Sequence, residues 1–520
     1  MENKPVIAIY DVRGIQDYIF RTNKVKEIVG ASLIVDNLVI SEFKKAIQDN
    51  NNIDENEVIL NWESKAPLKF EDDEAIKVEV LYYGGGNLVV LFRNEDLAKN
   101  VSITMSKNIL RNAYGLSLNY TFVPKTENYQ EDWRALKLKL SEIKATTPLN
   151  KPMGILPIVQ YDRVTGLPFS KQITEGDRTV KVTYEAYQKI NKYNADKNDT
   201  PYVKEFDKMR ANESEGLIAI VHIDGNSMGQ NIGKLMQNAK TYKEATRVMR
   251  EISCNIHQVF EKDAIEKVIS KMNDICKKHG ISNLIKDGKY PFRKIISAGD
   301  DITFVCNARI SLDIVKEYIE SIKCGYMYEK QYPFSACAGI AIVHSHFPFY
   351  KGYEIAEECC QNAKKRAKSE QGMVNGKIGN FVDFQYCYAG ITSDLESIRK
   401  NKYINIEGYQ LLKRPYGIFS EEEKKNLNEE QKEFDIDFLY RALNDVKNIS
   451  RNKAKNLRDI YYQTKADIDT EVKKLKMKNK ALSLKEMFDA NKTATYYDAL
   501  EFLDLYAERK NDKDYEEEGK

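Results

Sequence analysis

Cysteine is missing where a disulfide or zinc framework would need it. The 520 residues include eight cysteines, Cys254, Cys276, Cys306, Cys324, Cys337, Cys359, Cys360 and Cys387, and the first 253 residues have none. No two are spaced Cys-x-x-Cys, which argues against a disulfide scaffold and against structural zinc of the usual spacing. A reduced, cytoplasmic chain is the expectation. Long apolar runs are missing too. None approaches the ~18 residues that would span a bilayer, and Met1 to Tyr10 reads as a strand rather than a signal peptide. Net charge is almost absent. The 80 Lys+Arg and 78 Asp+Glu leave +2, which argues against broad sequence-independent duplex binding but permits a local basic groove. The five histidines are scattered, and His344 and His346, on one strand face, have no nearby cysteine to complete a metal site.

What is present is an ordinary globular composition, 42% hydrophobic and 30% charged, long enough for two to four domains of ~150 residues. A diverged internal repeat organises it. Residues 5–11 form an apolar run ending in Asp11, and residues 217–224 form another ending in Asp224. Each is followed by a glycine and a helical pattern. Val78 to Phe92 reads strand, Gly84-Gly85-Gly86-Asn87, strand, and Ile295 to Cys306 reads strand, Ala298-Gly299-Asp300-Asp301, strand. Asp11 and Asp224 are separated by the same offset as Gly86 and Gly299. Leu116–Val123 and Ala336–Val343 form a looser third pair. The reading is a domain duplication, each copy running strand, helical region, hairpin, helix, strand, in an α+β fold. In the second copy a long helix is expected from Thr241 to His279, stopped by Gly280. The expected division is 1–146, a connector with a turn-rich insert at 147–215 (Pro148, Pro152, Pro157, Pro168, Pro201), 216–415, and a helical, charged 416–520. Within the last part Phe434–Val446, Lys453–Met477 and Tyr496–Glu508 read as helices, before an acidic tail.

The chemistry concentrates in the second copy. Asp224 ends a strand and is followed by Gly225-Asn226-Ser227-Met228-Gly229, where a helix start offers free N–H groups to a phosphate and the glycines permit close approach. Consecutive strand residues face opposite ways, so Asp300 and Asp301 converge only if the chain turns, and Gly299 supplies the turn. An isolated Asp-Asp is usually a solvated turn. Three carboxylates from adjacent strands call instead for cations, two Mg²⁺ or Mn²⁺ ions, that activate a hydroxyl and stabilise an α-phosphate: nucleotidyl transfer or cyclisation.

These residues resemble a known family. Ile223 to Gly229, the Ala298–Asp301 hairpin, Phe334 to Ala341, Ala356-Glu357 and Ala363 to Lys368 are similar to the second palm domain of the large polymerase/cyclase subunit of type III CRISPR effector complexes, and more distantly to GGDEF cyclases. Tyr10 to Phe20 with Gly84-Gly85-Gly86-Asn87 resembles that subunit's first palm. The resemblance, over roughly residues 5 to 400, implies two ferredoxin-like palms facing each other. It also implies condensation of ATP into cyclic oligoadenylates for antiviral defence, with Asp224, Asp300 and Asp301 as catalytic metal ligands. Nucleotide contacts are expected from Gly225, Asn226, Ser227, Gly229, Ser297, Gly299 and Lys364, and across the interface from Gly84, Gly85, Gly86 and Asn87. Lys364 matches a lysine that contacts triphosphate; alternatively, it is a solvated residue of a basic helix. Asn87-Leu88 stand where Asp300-Asp301 would, so the first palm is expected to bind nucleotide or complete the pocket without catalysing, with Asp11 structural.

Three departures stand out. The chain starts at the first palm with no His-Asp dipeptide, so no HD nuclease is expected. Tyr161 to Pro168 resembles the core of a zinc module without its cysteines. Ala-Gly-Asp-Asp replaces Gly-Gly-Asp-Asp. The implied partners are nucleoside triphosphates, other CRISPR subunits with guide and target RNA, or further copies of the chain, with no membrane. Two other readings remain: a non-catalytic nucleotide sensor or scaffold, and transfer of AMP to another small molecule.

Overall fold

The computed structural model describes residues 4–50, 53–84, 86–147, 158–196, 200–210, 216–387, 394–478, 482 and 484–505. Gly85, Pro148, Pro152, Pro157 and the acidic tail lie outside them. The first sheet contains β1 (Val6–Arg13), β2 (Val78–Gly84), β3 (Asn87–Phe92) and β4 (Ser117–Pro124), in the order β2-β3-β1-β4 with a short strand, Val58–Ile59, beside β2. Helices α1 (Val25–Val35), α2 (Leu38–Gln48), α3 (Glu95–Asn112) and α4 (Tyr129–Thr146) accompany it. The apolar run of β1 is buried from Val6 to Val12 because β3 and β4 flank it, both antiparallel. Asn94 and Asn128 cap α3 and α4 by accepting from backbone N–H groups of their first turns.

The connector forms a hairpin, β5 (Phe169–Glu175) and β6 (Arg178–Thr183), and a helix, α5 (Tyr184–Ala195). The Tyr161–Pro168 turn is closed by Asp162, whose carboxylate accepts from Val164 N–H (3.2 Å) and the Thr165 hydroxyl (2.9 Å).

The second sheet contains β7 (Leu217–Gly225), β8 (Phe292–Ala298), β9 (Asp301–Asn307), β10 (Ala336–His344) and β11 (Phe381–Tyr386), ordered β11-β10-β7-β9-β8. Its helices are α6 (Met228–Met236), α7 (Tyr242–Ile256), α8 (Ala264–Lys278), α9 (Ser311–Ile322) and α10 (Phe349–Lys368). Strand order is the same in both sheets: hairpin, central strand, fourth strand. Both units therefore share one ferredoxin-like architecture, the repeat that the sequence pattern led one to expect. The expected long helix starts at a capping box between Thr241 and Glu244 and ends before Gly280 at φ 62°. Between α7 and α8 it passes through a π-helical segment, His257–Asp263, which the apolar spacing did not reveal.

Pairing corrects the alignment of the two hairpins. Gly84 pairs with Asn87, and Ala298 pairs with Asp301. Asn87 is thus the counterpart of Asp301, and Gly86 of Asp300, one residue from the register that equal offsets suggested. Cross-strand pairing agrees: Asp11 lies opposite Asn87, and the Ile302–Ile223 pair sets Asp301 beside Asp224. A two-residue turn, rather than sequence spacing, fixes hairpin register. The first hairpin still lacks the carboxylates.

Beyond the palms are α11 (Leu395–Lys402), α12 (Ile436–Val446), α13 (Arg451–Ile460), α14 (Lys465–Lys478) and α15 (Tyr497–Phe502). The helix expected over Lys453–Met477 is two helices. Tyr461 is fully buried against Phe488 and Tyr497, and Thr464 and Asp467 hydrogen-bond across the start of α14. Second-sheet pairing continues to Tyr416–Gly417, just past the expected division at 415. There the buried Arg414 donates to Asp498 (3.1 Å) and Glu501 (2.7 Å) of α15. No helix among the described residues is long and apolar enough to cross a membrane.

Candidate active site

Strand alternation decides which way the site residues point. His222 and Asp224 share one face of β7, and Asp301 and Thr303 share the adjoining face of β9. Asp300 belongs to the turn, where Gly299 has φ 73°, as a hairpin turn with glycine at its first central position requires. Gly225 leaves room for it: a Cβ there would sit 2.7 Å from Asp300 Oδ2.

Asp300 and Asp301 are both crowded by neighbouring carboxylates. Burial, then Asp224, pushes the Asp300 carboxyl up to about 6. Burial, then Asp224, Asp300 and Glu357, pushes Asp301 up to about 8. Asp301 Oδ1 is 3.3 Å from His222 Nδ1, an imidazole that burial pushes down to about 4 and so keeps neutral. Asp224 is held by the Lys364 ammonium, which also donates to Gly225 O (3.0 Å). Among the described residues no three His, Cys, Asp or Glu side chains are arranged to ligate an ion as they stand. The lysine supplies the positive charge that Asp224 needs. Asp301, crowded by like charges, is relieved by a proton. Of the site residues, these three carboxyls are the hard oxygen donors that could hold Mg²⁺ or Mn²⁺.

The first palm repeats the arrangement in a simpler form. Asp11 pairs with Lys144 of α4 at 2.7 Å, as Asp224 pairs with Lys364 of α10. With Asn87 rather than a second acid opposite, the pair is neutral and complete, in keeping with a structural Asp11.

Both hairpins open onto one cavity of about 600 Å³. Gly84, Gly86 and Asn87 line it from the first palm, and Gly229, Ser297, Gly299 and Asp300 from the second. Tyr82, Tyr83, Trp62 and Trp133 give it an aromatic wall, and Arg134 and Lys137 of α4 add positive charge. Asn226, expected at the nucleotide, instead faces inward. It is buried, and its amide donates to Gly379 O (3.1 Å). Ser227 takes φ 55° at the start of α6, a left-handed backbone uncommon for serine.

Helix α7 joins the two sides. Arg250 is buried and donates to Leu81 O (2.9 Å), Val80 O (2.7 Å), Ala66 O and Glu79 (3.0 Å) of the first palm. One turn on, Ser253 faces Gly84, where a Cβ would meet its hydroxyl at 3.0 Å. Sequence reasoning missed Arg250, His222, Tyr353 and Glu357. His222 was legible, two residues before Asp224 on one strand. Tyr353, whose ring meets His222 edge-on, lies one turn before Glu357 and three before Lys364 on α10, so the three share a helix face. Arg250 carried no local signal.

Comparison with known proteins bears on the fold that carries this site. Residues 217–372 match the model of the Cas10/Cmr2 second palm domain. No curated relative matches the chain. Among solved structures, Csm1 of T.onnurineus shares the fold at a TM-score of 0.51 and 12% identity, over 98% of this chain and 70% of that one. A Csm1-Csm4 cassette in complex with cA4 gives 0.51 at 13%, over 97% and 70%. The same cassette in complex with pppApA gives 0.50 at 13%, over 98% and 70%. At these identities the likeness shows the fold, and the family match extends to the second palm alone, which is similar to that of Cas10/Cmr2.

Proposed function

We propose that this chain, Cas10-like in its second palm and in its fold, condenses nucleoside triphosphates, ATP foremost, into cyclic oligonucleotide messengers within a type III CRISPR effector. The observation that carries this is the pairing of hairpins across one cavity, only one of which bears carboxylates. The complexes of the Csm1-Csm4 cassette with cA4 and pppApA support it by analogy of fold. They also make a Csm4-like subunit a reasonable partner.

In this reading Asp224, Asp300 and Asp301 hold two Mg²⁺ or Mn²⁺ ions, which when bound would activate a 3′-hydroxyl and offset charge on an α-phosphate. The 3′-hydroxyl of one nucleotide attacks the α-phosphate of another; the new phosphodiester forms as the bond to the β-phosphate breaks and pyrophosphate leaves. Lys364 exchanges Asp224 for the triphosphate. The aromatic wall excludes water and stacks on a base, and Gly86-Asn87 completes the pocket without ligating an ion.

Incubating the protein with radiolabelled nucleotides and Mg²⁺, with mass spectrometry of the products, tests the proposal. Cyclic or linear oligonucleotides are expected from wild type and none from Asp300→Ala/Asp301→Ala. Absence of product under every activator, with nucleotide binding equal in both proteins, would favour the sensor reading, to which the Lys364–Asp224 pair lends some weight. AMP joined to another molecule would show transfer instead. Lys364→Met is expected to raise the nucleotide KM by about tenfold, the loss of one charge-assisted phosphate contact of about 1.5 kcal/mol. An unchanged KM would leave Lys364 a structural partner of Asp224.

A further inference from the structure

The turn of the carboxylate hairpin has an exposed weakness. In a two-residue turn the central amides lie outside the strand ladder, and one facing a cavity needs another acceptor. Gly299 N–H finds it in Glu261 Oε1, at 3.2 Å. The other oxygen of Glu261 is 3.3 Å from His257 Nδ1. Both carboxylate oxygens are therefore engaged.

The π-helical segment explains why Glu261 can reach. Residues four apart on an α-helix advance by roughly 40° around the axis, so Glu261 would sit about 80° from Ser253. The i→i+5 bonding of His257–Asp263 winds the chain less per residue. Ser253, His257 and Glu261 thus all line the cavity. The altered helix is supported from behind, where the buried Tyr318 hydroxyl donates to Phe260 O at 2.7 Å. The same continuous helix carries Arg250, fixed to the first palm, so the hairpin tip is referenced to both palms through one element.

We propose that Glu261 is a positioning residue: oriented by His257, it holds the Gly299 amide and thereby fixes where the turn presents Asp300 and Asp301. The consequence for turnover rests on the cyclase reading; the consequence for the turn does not. The test compares Glu261→Met, similar in shape without an acceptor, with Glu261→Gln, which keeps an acceptor oxygen. Amide hydrogen exchange over residues 297–302 is expected to quicken roughly tenfold in Glu261→Met, the loss of one hydrogen bond, and to stay within about threefold of wild type in Glu261→Gln. In product assays kcat is expected to fall by about 10- to 100-fold in Glu261→Met with KM little changed, because small misplacements of reacting groups are costly, and to recover in Glu261→Gln. Unchanged exchange in Glu261→Met, or equal damage in both variants, overturns the proposal. If wild type makes no product, hydrogen exchange alone decides, so failure of the cyclase reading stays distinct. Should Glu261→Met not fold, Glu261→Ala takes its place in the same comparison.

Discussion

Asp301→Asn is expected to make the protein more stable and, at the same time, inactive. The Asp301 carboxyl stands at about 8 in the folded chain and near its ordinary value of ~4 when unfolded. Between those values the folded state keeps a proton that the unfolded state releases, so wild-type stability falls as pH rises from about 4 to about 8. Asparagine does not titrate and avoids the loss. The gain should be small near pH 4 and fullest at pH 8 and above, on the order of 2 kcal/mol. It stays well below full conversion of the shift because the side chain is 30% exposed to water. Thermal melts across that range check the sign. A variant less stable than wild type at pH 8 would mean that the carboxylates are not crowded. Mg²⁺ or Mn²⁺ is expected to raise the wild-type melting temperature and narrow the gap, since an ion that binds only the folded state stabilises it. Product formation should fall by at least about 10³-fold, about 4 kcal/mol of transition-state stabilisation.

Arg250→Leu is expected to cost about 3–5 kcal/mol, because it leaves the buried Glu79 carboxylate without its cation. Glu79 is wholly inaccessible, and Arg250 satisfies three carbonyls besides. The partner change, Arg250→Leu with Glu79→Leu, should recover part of the loss, since removing both charges is cheaper than stranding one. Recovery will be incomplete: Glu79 also accepts from Lys69 N–H (3.0 Å) and Phe70 N–H (2.7 Å), which the double variant leaves unpaired. Urea unfolding of these two variants and of Glu79→Leu alone measures the coupling. Additive losses of under 1 kcal/mol each would show that the palms are held by other contacts.

The two predictions concern the same architecture. The carboxyls of the second hairpin crowd one another, and the cavity that Asp300 lines needs both palms to wall it. Arg250, Ser253 and Glu261 on one helix connect these requirements. A variant that loosens the clamp should therefore disturb turnover without touching a carboxylate.

The sequence by itself determined the local units. Apolar runs ending in Asp11 and Asp224, the glycine-bearing hairpins and the helical apolar spacing from Thr241 to His279 are short-range signals, and each corresponds to an element of the fold. It also determined that the first hairpin lacks acids, since Asn87 is readable without a fold. Its equal offsets, however, misaligned the hairpins by one residue, because backbone pairing across a turn decides register and spacing along the chain does not. Only the tertiary structure decided that Lys364 stands on Asp224, that Asn226 turns inward, and that Arg250 and Glu79, 171 residues apart, share one buried pair. It alone placed Glu261 under the Gly299 amide. Charges and amides removed from water must find partners wherever the fold brings them, and no local pattern records partners that meet across two domains.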